Sequence, residues 1–554
     1  MIHVSASWGS LAAPVLYAAA FVVLLAPGYA VARTIVVRGR LDAAATLPIA
    51  FAVTSLAGFA AFWSYLLAPQ LGRLVSFAWA AVALVSVRML SRRAWRRDEL
   101  VPLVLTFAVG ACYLAVLYLP TTAIDASQRF FVMRPPDNII PQLFAERLYQ
   151  GADPRHLIGD WLSSDRPPLQ TGFDLLMRPF FAARPTLTNL GYEAAGVVAQ
   201  LAWLPAMWLL CTRAGYSPRS RAVVLALATA SGFCLYNTDY TWPKLLSAGL
   251  SLSALAFALP RAAENRTISL VLAGICAALA FLAHGSAVFF VVPATVCVAV
   301  AGRLPLRREL AWAAAAAVVL VAPWFAYQRY YDPPGDRLLK MHLAGINAVD
   351  PRPAAQAIAE TYAGTPLAQI VRYKAANVAT ALGAAPLLGS AVAQEPVTPL
   401  TQWRLREREL VTVALGIANL GWLLLPWYWR RHRDESQRRW SIGLLGVAAA
   451  STAFWCVAMW GPGATVTTHS AYALDLILFV VLGAAIAEAR AIALTVLGLA
   501  VVDVVVTWVC GSLGDAWRVS ASLDPVMVAC ALATAGVVFA LLASEMRRDV
   551  RSAA

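Results

Sequence analysis

Charged residues are scarce in this 554-residue sequence. Asp, Glu, Lys and Arg make up 13% of it, whereas 60% of the residues are hydrophobic and the mean hydropathy is +0.66. Soluble globular domains carry about 25% charged residues, so the composition excludes a water-soluble globule and requires lipid as the solvent. The uncharged runs are continuous and rich in Ala, Leu and Val, unlike the two-residue alternation of a membrane β-barrel. The sequence therefore predicts an all-α, polytopic transmembrane helical bundle.

Closely spaced cysteine pairs are absent from the sequence, and lysine is rare. None of the eight cysteines forms a CxxC pair, which argues against a disulfide framework or a cysteine metal site. Lysine occurs three times, at Lys244, Lys340 and Lys374. The net charge of +14 comes from arginines, which stand in short clusters between apolar runs, where the positive-inside rule places them. The charge is explained by membrane topology and does not indicate nucleic acid as a partner.

About fifteen apolar segments are long enough to cross a membrane as helices. They cover residues 10–32, 44–68, 72–91, 100–120, 190–211, 221–237, 242–260, 267–283, 285–301, 309–327, 410–428, 441–459, 471–488, 491–509 and 525–543. If the N-terminus is outside, every second connection between spans should be basic, and this alternation holds along the whole chain.

The predicted topology places two long loops on the extracytoplasmic side, at residues 121–190 and 328–408. Loops of this length usually carry function, whereas the cytoplasmic connections only turn the chain around. The chain then divides into a three-span N-terminal extension (1–99), a transmembrane core that includes the first loop (100–330), the second long loop (331–409) and C-terminal transmembrane helices (410–554).

The long loops contain helical patterns of their own. In the first loop, Asp137 or Asn138 can cap a helix, Pro141 is tolerated in its first turn and Gly151 can end it. Its apolar face would consist of Ile140, Leu143, Phe144 and Leu148. In the second loop, helical stretches are expected near residues 354–362 and 367–381.

The densest polar stretch is RPPDNIIPQLFAERLYQG, followed by GDWLSSDRPPLQTG. It resembles the first external loop of the GT-C superfamily of membrane glycosyltransferases, in particular the protein O-mannosyltransferases and lipid A aminoarabinose transferases. In that group an acidic residue opens a juxtamembrane helix, and a basic-Pro-Pro-Leu segment follows about thirty residues later. Asp137 and the segment Arg166–Leu169 match these features. The match covers about one tenth of the chain, and three spans precede the helix that leads into this loop.

The resemblance implies an inverting glycosyltransferase in the bacterial inner membrane, with its active site facing the periplasm. Such an enzyme moves a sugar from a polyprenyl-phosphate carrier to a glycan, lipid or protein acceptor of the cell envelope. A carboxylate must take the proton of the acceptor hydroxyl, and Asp137 is the expected base, with an ordinary helix cap as its alternative role. Asp165 would share this role or hold the acceptor.

The departing lipid phosphate would require fixed cations near the membrane surface. We expect these from Arg166, Lys244, His284, Arg337 and Lys340. For Lys244 the alternative is a snorkelling interface anchor, and for His284 an ordinary interface histidine. Arg337 and Lys340 are three residues apart, so a helix would place them on one face.

Three further residues are candidates for contacting the substrate: Tyr240, His342 and His469. No cofactor is implied. The outer loops lack a tight acidic pair, because Asp160 and Asp165 stand at loose spacing. The sequence therefore favours transfer without a metal, with a divalent cation as the alternative.

Two other functions remain open. A carrier or flippase for lipid-linked glycans would also have many spans, but carriers typically show charges in mid-span and repeated halves. Here the ionisable residues lie mostly at span ends, with Asp503 as an exception. An O-antigen polymerase or ligase also acts outside on lipid pyrophosphates, and it would depend on Arg and His of the second loop more than on an acidic residue of the first.

Overall fold

Helices dominate the structure, a computed structural model that describes residues 11–119, 136–183, 185–301, 307–382, 414–431, 435–461, 471–508 and 523–552. In these ranges the strands β1 (His156–Ile158) and β2 (Trp161–Leu162) form a two-stranded antiparallel hairpin. The predicted all-α, polytopic membrane fold is confirmed.

The helices follow the order in which the apolar segments were predicted. The N-terminal helices are α1 (Ala12–Gly39), α2 (Thr46–Leu67), α3 (Pro69–Ser91) and α4 (Arg97–Leu117). The first loop contributes α5 (Ile140–Gln150) and α6 (Leu169–Met177). Next come α7 (Pro185–Gln200), α8 (Trp203–Arg213), α9 (Pro218–Thr229), α10 (Gly232–Asp239), α11 (Lys244–Ala258), α12 (Arg266–Ala283), α13 (Val288–Val300) and α14 (Arg307–Ala326). The second loop contributes α15 (Arg337–Ala344), α16 (Ala354–Ala363) and α17 (Leu367–Ala381), and the C-terminal helices are α18 (Gly421–Arg431), α19 (Glu435–Ala458), α20 (Ala471–Ala487), α21 (Arg490–Trp508) and α22 (Pro525–Ser552).

Each of the fifteen predicted segments falls on helical structure in its described part. Among the described residues ten helical stretches are long and apolar enough to cross a membrane, and one of them consists of α7 and α8 in succession. Three shorter helices are also apolar, namely α11, α13 and α20. The two remaining segments are broken helices. In residues 221–237, α9 and α10 are separated near Ser231, and in residues 410–428 a 3-10 helix (Gly416–Leu420) precedes α18.

The hydrophobic core is one cluster that extends from Ala13 in α1 to Leu542 in α22. Helices α8, α11 and α20 are buried along nearly their whole length, as expected for helices that are apolar on all sides. Helices α3, α14 and α22 expose apolar side chains such as Leu84, Val319 and Phe539, because their outer faces are solvated by lipid. The N-terminal helices α1 and α2 pack against α7 and α6, so the predicted extension shares the core of the bundle.

The two ends of the bundle differ in what they carry. One end, called the loop end below, holds the described parts of the two long loops, residues 136–183 and 327–382. The opposite end, called the arginine end, is crossed by ion pairs between segments that are distant in the chain. They include Arg33–Glu99 at 3.1 Å, Arg213–Glu264 at 2.7 Å and Arg221–Glu545 at 2.9 Å.

Helix α6, which directly follows the Arg-Pro-Pro segment, packs against α2 through a close backbone contact. A Cβ atom on Gly172 would lie 2.1 Å from the carbonyl oxygen of Gly58. No side chain can be accommodated at that distance, so glycine is required for the two helices to approach. The contact sets how closely the segment that contains Arg166 is held against the bundle.

Gly172→Ala is therefore expected to destabilise the protein by about 1–3 kcal/mol, the usual effect of an extra carbon in a packed interface. The measurement is the midpoint of thermal unfolding in detergent. Gly536→Ala is the matched control, because no atom lies within 4 Å of the Cβ it would gain in α22 and alanine favours a helix by up to about 1 kcal/mol. Equal midpoints for the two variants would contradict the close contact.

Candidate functional site

The helix predicted at the start of the first loop is present as α5. Pro141 lies in its first turn, and Gly151 ends it in a left-handed conformation with φ of 72°. The predicted apolar face is largely buried, at Ile140, Phe144 and Leu148. This helix packs against α6 and α3, so it is fixed to the loop end of the bundle.

The predicted helix cap is wrong for Asn138. The residue before the helix is Ile139, which makes no side-chain cap. The Asn138 side chain turns away and its Nδ2 donates to the carbonyl oxygen of Tyr240, 3.1 Å distant. Asp137 lies in a short 3-10 helix, Pro136–Ile139. Its side chain falls outside the described part of the structure, so its role stays a prediction.

A buried ion pair joins the two long loops. Arg337 Nη1 lies 2.9 Å from Asp165 Oδ2, and Arg337 Nη2 pairs with Asp160. Asp165 Oδ2 also accepts a hydrogen bond from the backbone N–H of Leu162 at 3.0 Å. The side chains of Arg337 and Asp165 are 5% and 1% exposed. Each charge therefore neutralises the other away from water, although burial still raises the pKa of Asp165.

Hydrogen bonds beside this ion pair connect the same two loops. Asp332 Oδ2 accepts from Ser163 Oγ at 2.7 Å and from the backbone N–H of Ser164 at 2.8 Å. Gln328 Nε2 donates to the carbonyl oxygens of Ser164 and Gly335, both at 2.9 Å. The sequence alone does not reveal these residues, because the partners across the junction are 164 to 169 positions apart and no local pattern marks such a contact.

Arg337 and Lys340 lie on one buried face of α15, as expected from their spacing. Lys340 Nζ forms an ion pair with Asp336 Oδ1 at 2.6 Å and donates to the carbonyl oxygen of Asp350 at 2.6 Å. Both cations are thus already paired with carboxylates. Their expected phosphate contacts stay a prediction, and this geometry favours a role in holding the second loop in place.

Four other basic side chains converge near the junction: Arg166, Lys244, His284 and His342. Burial lowers the pKa of His284 well below its usual value, and the positive charges of Lys244 and Arg166 lower it further. Burial also lowers the pKa of His342 to about 4, and Lys244 and Arg166 add to the effect. The charges of Lys244 and Arg166 thus act on both histidines. These four residues, which come from four separate elements, are called the basic cluster below.

Lys244, the first residue of α11, is enclosed by aromatic rings. It is 2% exposed, and its Nζ lies 3.3 Å from the ring centre of Trp242 and 5.5 Å from that of Tyr472. Aromatic faces attract a cation at these distances. A snorkelling anchor would reach out to water, so this burial argues against the alternative role considered for Lys244.

His284 follows α12 and has a defined tautomer when it is neutral. Its Nδ1 accepts a hydrogen bond from the backbone N–H of Ser286 at 3.2 Å and lies 2.7 Å from Ser286 Oγ. A ring nitrogen that accepts carries no proton, so the proton of the neutral ring is on Nε2. Neutral His284 can therefore donate one hydrogen bond to an anion.

The remaining predicted residues have different outcomes. The guanidinium of Arg166 lies 4.3 Å from the ring centre of Trp161, which also contacts Arg337, so this tryptophan links the junction with the basic cluster. The ring of Tyr240 is buried edge-to-face against Trp242 at 5.2 Å. His469 lies outside the described residues, so its substrate contact stays a prediction.

A metal site is not formed by the side chains that the structure describes. In the described ranges no group of three or more His, Cys, Asp or Glu side chains is placed to hold a metal ion. Asp160 and Asp165, the acidic pair noted in the sequence, both bind Arg337. Metal-independent transfer stays a prediction.

No protein-family model matches the sequence, and no curated protein matches it. Solved structures that are similar to the chain include ArnT from Cupriavidus metallidurans bound to undecaprenyl phosphate, which is 14% identical, with a TM-score of 0.43 over 81% of this chain and 77% of that chain. The apo structure of the same ArnT is 14% identical, with a TM-score of 0.33 over 65% of this chain and 77% of that chain.

Arg337→Leu should destabilise the protein by about 3–5 kcal/mol, because it leaves the Asp165 carboxylate buried without its counter-charge. Adding Asp165→Leu should recover part of this loss, since the second change removes the uncompensated charge. Thermal unfolding in detergent measures both effects.

Arg352→Leu is the control for this pair. Arg352 pairs with Asp350 and Glu360 while its side chain is 43% exposed, and exposed ion pairs contribute about 0–1 kcal/mol. If Arg337→Leu is no more harmful than Arg352→Leu, the junction does not hold the loops as described.

The neutral state of His342 predicts a loss of stability in acid. Between pH 6.5 and about 4 the unfolded chain binds a proton on this residue and the folded protein does not, so the free energy of unfolding falls as the pH is lowered. His342→Gln removes this contribution, and its thermal midpoint should fall less than that of the wild type over the same range. His156→Gln, at an exposed position on β1, is the control, and coincident pH profiles for wild type and His342→Gln would refute the assignment.

Proposed function

We propose that this protein is a GT-C type glycosyltransferase that moves a sugar from a polyprenyl-phosphate donor to a cell-envelope acceptor at the loop end. The observation that carries the proposal is the basic cluster at the loop end. Arg166 lies against Trp161, which also contacts Arg337 on the helix of His342, and the charges of Lys244 and Arg166 act on His284 and His342. A lipid phosphate has its charge at the water boundary and its tail in the hydrocarbon. That division of charge and apolar tail fits a cationic site at the end of a lipid-facing bundle.

The cluster would act on the leaving group. During transfer the bond between the anomeric carbon and the phosphate oxygen breaks, and the electron pair stays with the phosphate. Fixed positive charges stabilise this developing charge. Lys244 and Arg166 supply full charges, and His284 supplies a hydrogen bond from Nε2. Both histidines are uncharged without ligand, so a bound phosphate would also favour their protonation.

Asp137 would act as the general base. Its carboxylate takes the proton of the acceptor hydroxyl while the acceptor oxygen attacks the anomeric carbon from the face opposite the phosphate, which inverts the configuration. The hydrogen bond from Asn138 to Tyr240 supports this role, because it fixes the backbone next to Asp137 beside the segment that leads into Lys244.

Asp165 would hold the acceptor rather than serve as the base. Its Oδ2 is already engaged by Arg337 and by the Leu162 amide. Its Oδ1 has no hydrogen-bond partner among the side and main chains that the structure describes, so this oxygen remains able to accept a hydroxyl hydrogen bond.

The proposal includes an orientation and a setting. The arginine end would face the cytoplasm, as the positive-inside rule requires, and the loop end would face the periplasm of a bacterial inner membrane. The acceptor would be a glycan, a lipid or a protein, and no divalent cation would be required.

Two variants test the proposal in nanodiscs, with undecaprenyl phosphate as the binding probe and polyprenyl-phosphate sugars as donors. Lys244→Met should weaken phosphate binding at least about tenfold, the usual effect of losing a charged hydrogen bond. Asp137→Asn should retain binding and reduce transfer by about 10²–10⁴-fold, the range typical of a general base. Native mass spectrometry measures binding, and donor consumption measures transfer.

Arg372→Met is the control, because it removes an exposed cation from α17 at the same end of the molecule. Undiminished binding by Lys244→Met would exclude the phosphate site. Undiminished transfer by Asp137→Asn would favour an enzyme of the polymerase or ligase type. Binding of undecaprenyl phosphate without consumption of any donor would exclude a transferase.

A further inference from the structure

A chain of buried polar side chains, three amides and one tyrosine, connects the segment that contains Asp137 with the segment that contains Lys244. It consists of Asn138, Gln170, Tyr192 and Gln200, which are 2%, 1%, 4% and 0% exposed. They come from the start of the first loop, from α6 and from two positions on α7. These four residues are called the amide network below.

The hydrogen bonds of the network have one consistent direction. Gln200 Nε2 donates to Gln170 Oε1 at 2.8 Å, and Gln170 Nε2 donates to the carbonyl oxygen of Thr241. Tyr192 Oη accepts from Gln170 Nε2 at 3.5 Å and donates to the carbonyl oxygen of Asn138 at 2.6 Å. The partners determine the orientation of each glutamine side-chain amide. If the oxygen and nitrogen of either amide exchanged places, a donor would face a donor or an acceptor would face an acceptor.

One end of the network reaches the helix that carries Lys244. Gln200 Oε1 accepts from the backbone N–H of Leu246 at 3.0 Å. Leu246 is in the first turn of α11, where N–H groups have no partner within the helix. Gln200 thus caps α11 from a neighbouring helix and fixes the start of α11, where Lys244 lies.

The other end reaches the segment that carries Asp137. Tyr192 holds the carbonyl of Asn138, and Asn138 in turn holds the carbonyl of Tyr240. The backbone next to Asp137 and the backbone that leads into Lys244 are therefore connected through buried hydrogen bonds.

The network also holds a backbone conformation that is unfavourable by itself. Thr241, whose carbonyl binds Gln170, has a φ of 57°, which is a strained conformation for a β-branched residue. Such conformations persist when the surroundings enforce them, and they are concentrated at functional sites. Gly196 leaves the necessary space, since a Cβ atom there would lie 2.6 Å from Thr241 Cγ2.

We propose that Gln170 and Gln200 are positioning residues that keep Lys244 at a fixed distance from the backbone of Asp137. This inference rests on the proposed function, because it assigns the network the task of placing the base relative to the phosphate site. Neither glutamine touches the basic cluster in the described contacts. Their effect would be exerted through the backbones of residues 138, 241 and 246.

The first experiment measures the connection itself and does not depend on activity. Hydrogen exchange of the full chain in nanodiscs is compared for the wild type, Gln200→Leu, Gln170→Leu and Thr54→Val. The glutamine variants should speed exchange in both residues 136–141 and residues 240–247, although these are far apart in the sequence. Thr54→Val removes another buried hydrogen bond, from Thr54 Oγ1 to Leu24 at 2.7 Å, and should leave both segments unchanged. Unchanged exchange at residues 136–141 in both glutamine variants would overturn the inference.

The second experiment separates positioning from a general loss of structure. Gln200→Leu should reduce transfer at least about tenfold, as expected when reacting groups are misplaced, while its affinity for undecaprenyl phosphate stays within about threefold of the wild type. Gln200→Glu, assayed at about pH 6, should restore transfer. Position 200 is fully buried and burial raises the pKa of a carboxyl group, so the acid is expected to be uncharged, and an uncharged acid retains one donor and one acceptor of the amide. Equal loss of transfer in Gln200→Leu and Gln200→Glu, or loss of phosphate binding in step with transfer, would overturn the positioning role.

The two experiments also distinguish this inference from the proposed function. If wild-type protein neither binds the phosphate probe nor consumes a donor, while the exchange experiment shows both segments loosened together, the proposed function fails and the connection through Gln170 and Gln200 stands. If transfer is normal in Gln200→Leu, the proposed function stands and the positioning role fails.

Discussion

The ion pair between Arg337 and Asp165 is the contact on which the geometry of the loop end depends. Arg166 directly follows Asp165, and His342 lies on the same short helix as Arg337. Pairing the two loops therefore brings both basic side chains to the place where α11 begins and α12 ends. Because either charge alone would be costly to bury, the contact strongly favours the arrangement in which both loops are docked.

Cations at the loop end are stabilised in two different ways. Arg337 and Lys340 are paired with carboxylates, so their charge is cancelled locally and serves to join segments. Arg166 and Lys244 lie against tryptophan faces. An aromatic face attracts a cation and helps to hold it in a buried position.

The polar interior of the bundle follows from its solvent. Lipid offers no hydrogen bonds, so buried amides and hydroxyls must satisfy one another inside the protein. The amide network does this near the loop end, and ion pairs do it at the arginine end. A network in which every amide has a defined orientation also limits movement, which suits a site where two groups must be kept at a fixed separation.

The helices could be predicted from the sequence because the interactions that form a helix are local in the chain. A span in lipid must form its hydrogen bonds within its own segment, so apolar length alone located α1 to α4 and the later spans. Proline and glycine at its two ends likewise located α5, and helical patterns in the second loop located α16 and α17. Asn138 shows where local reasoning ends: a helix cap was available to it, and its side chain bonds Tyr240 instead. Similarly, the spacing of Arg337 and Lys340 correctly predicted a shared face and could not reveal that Asp165, 172 positions away, pairs with one of them. The basic cluster and the amide network were decided by the tertiary structure, because they consist of contacts between residues that only folding brings together.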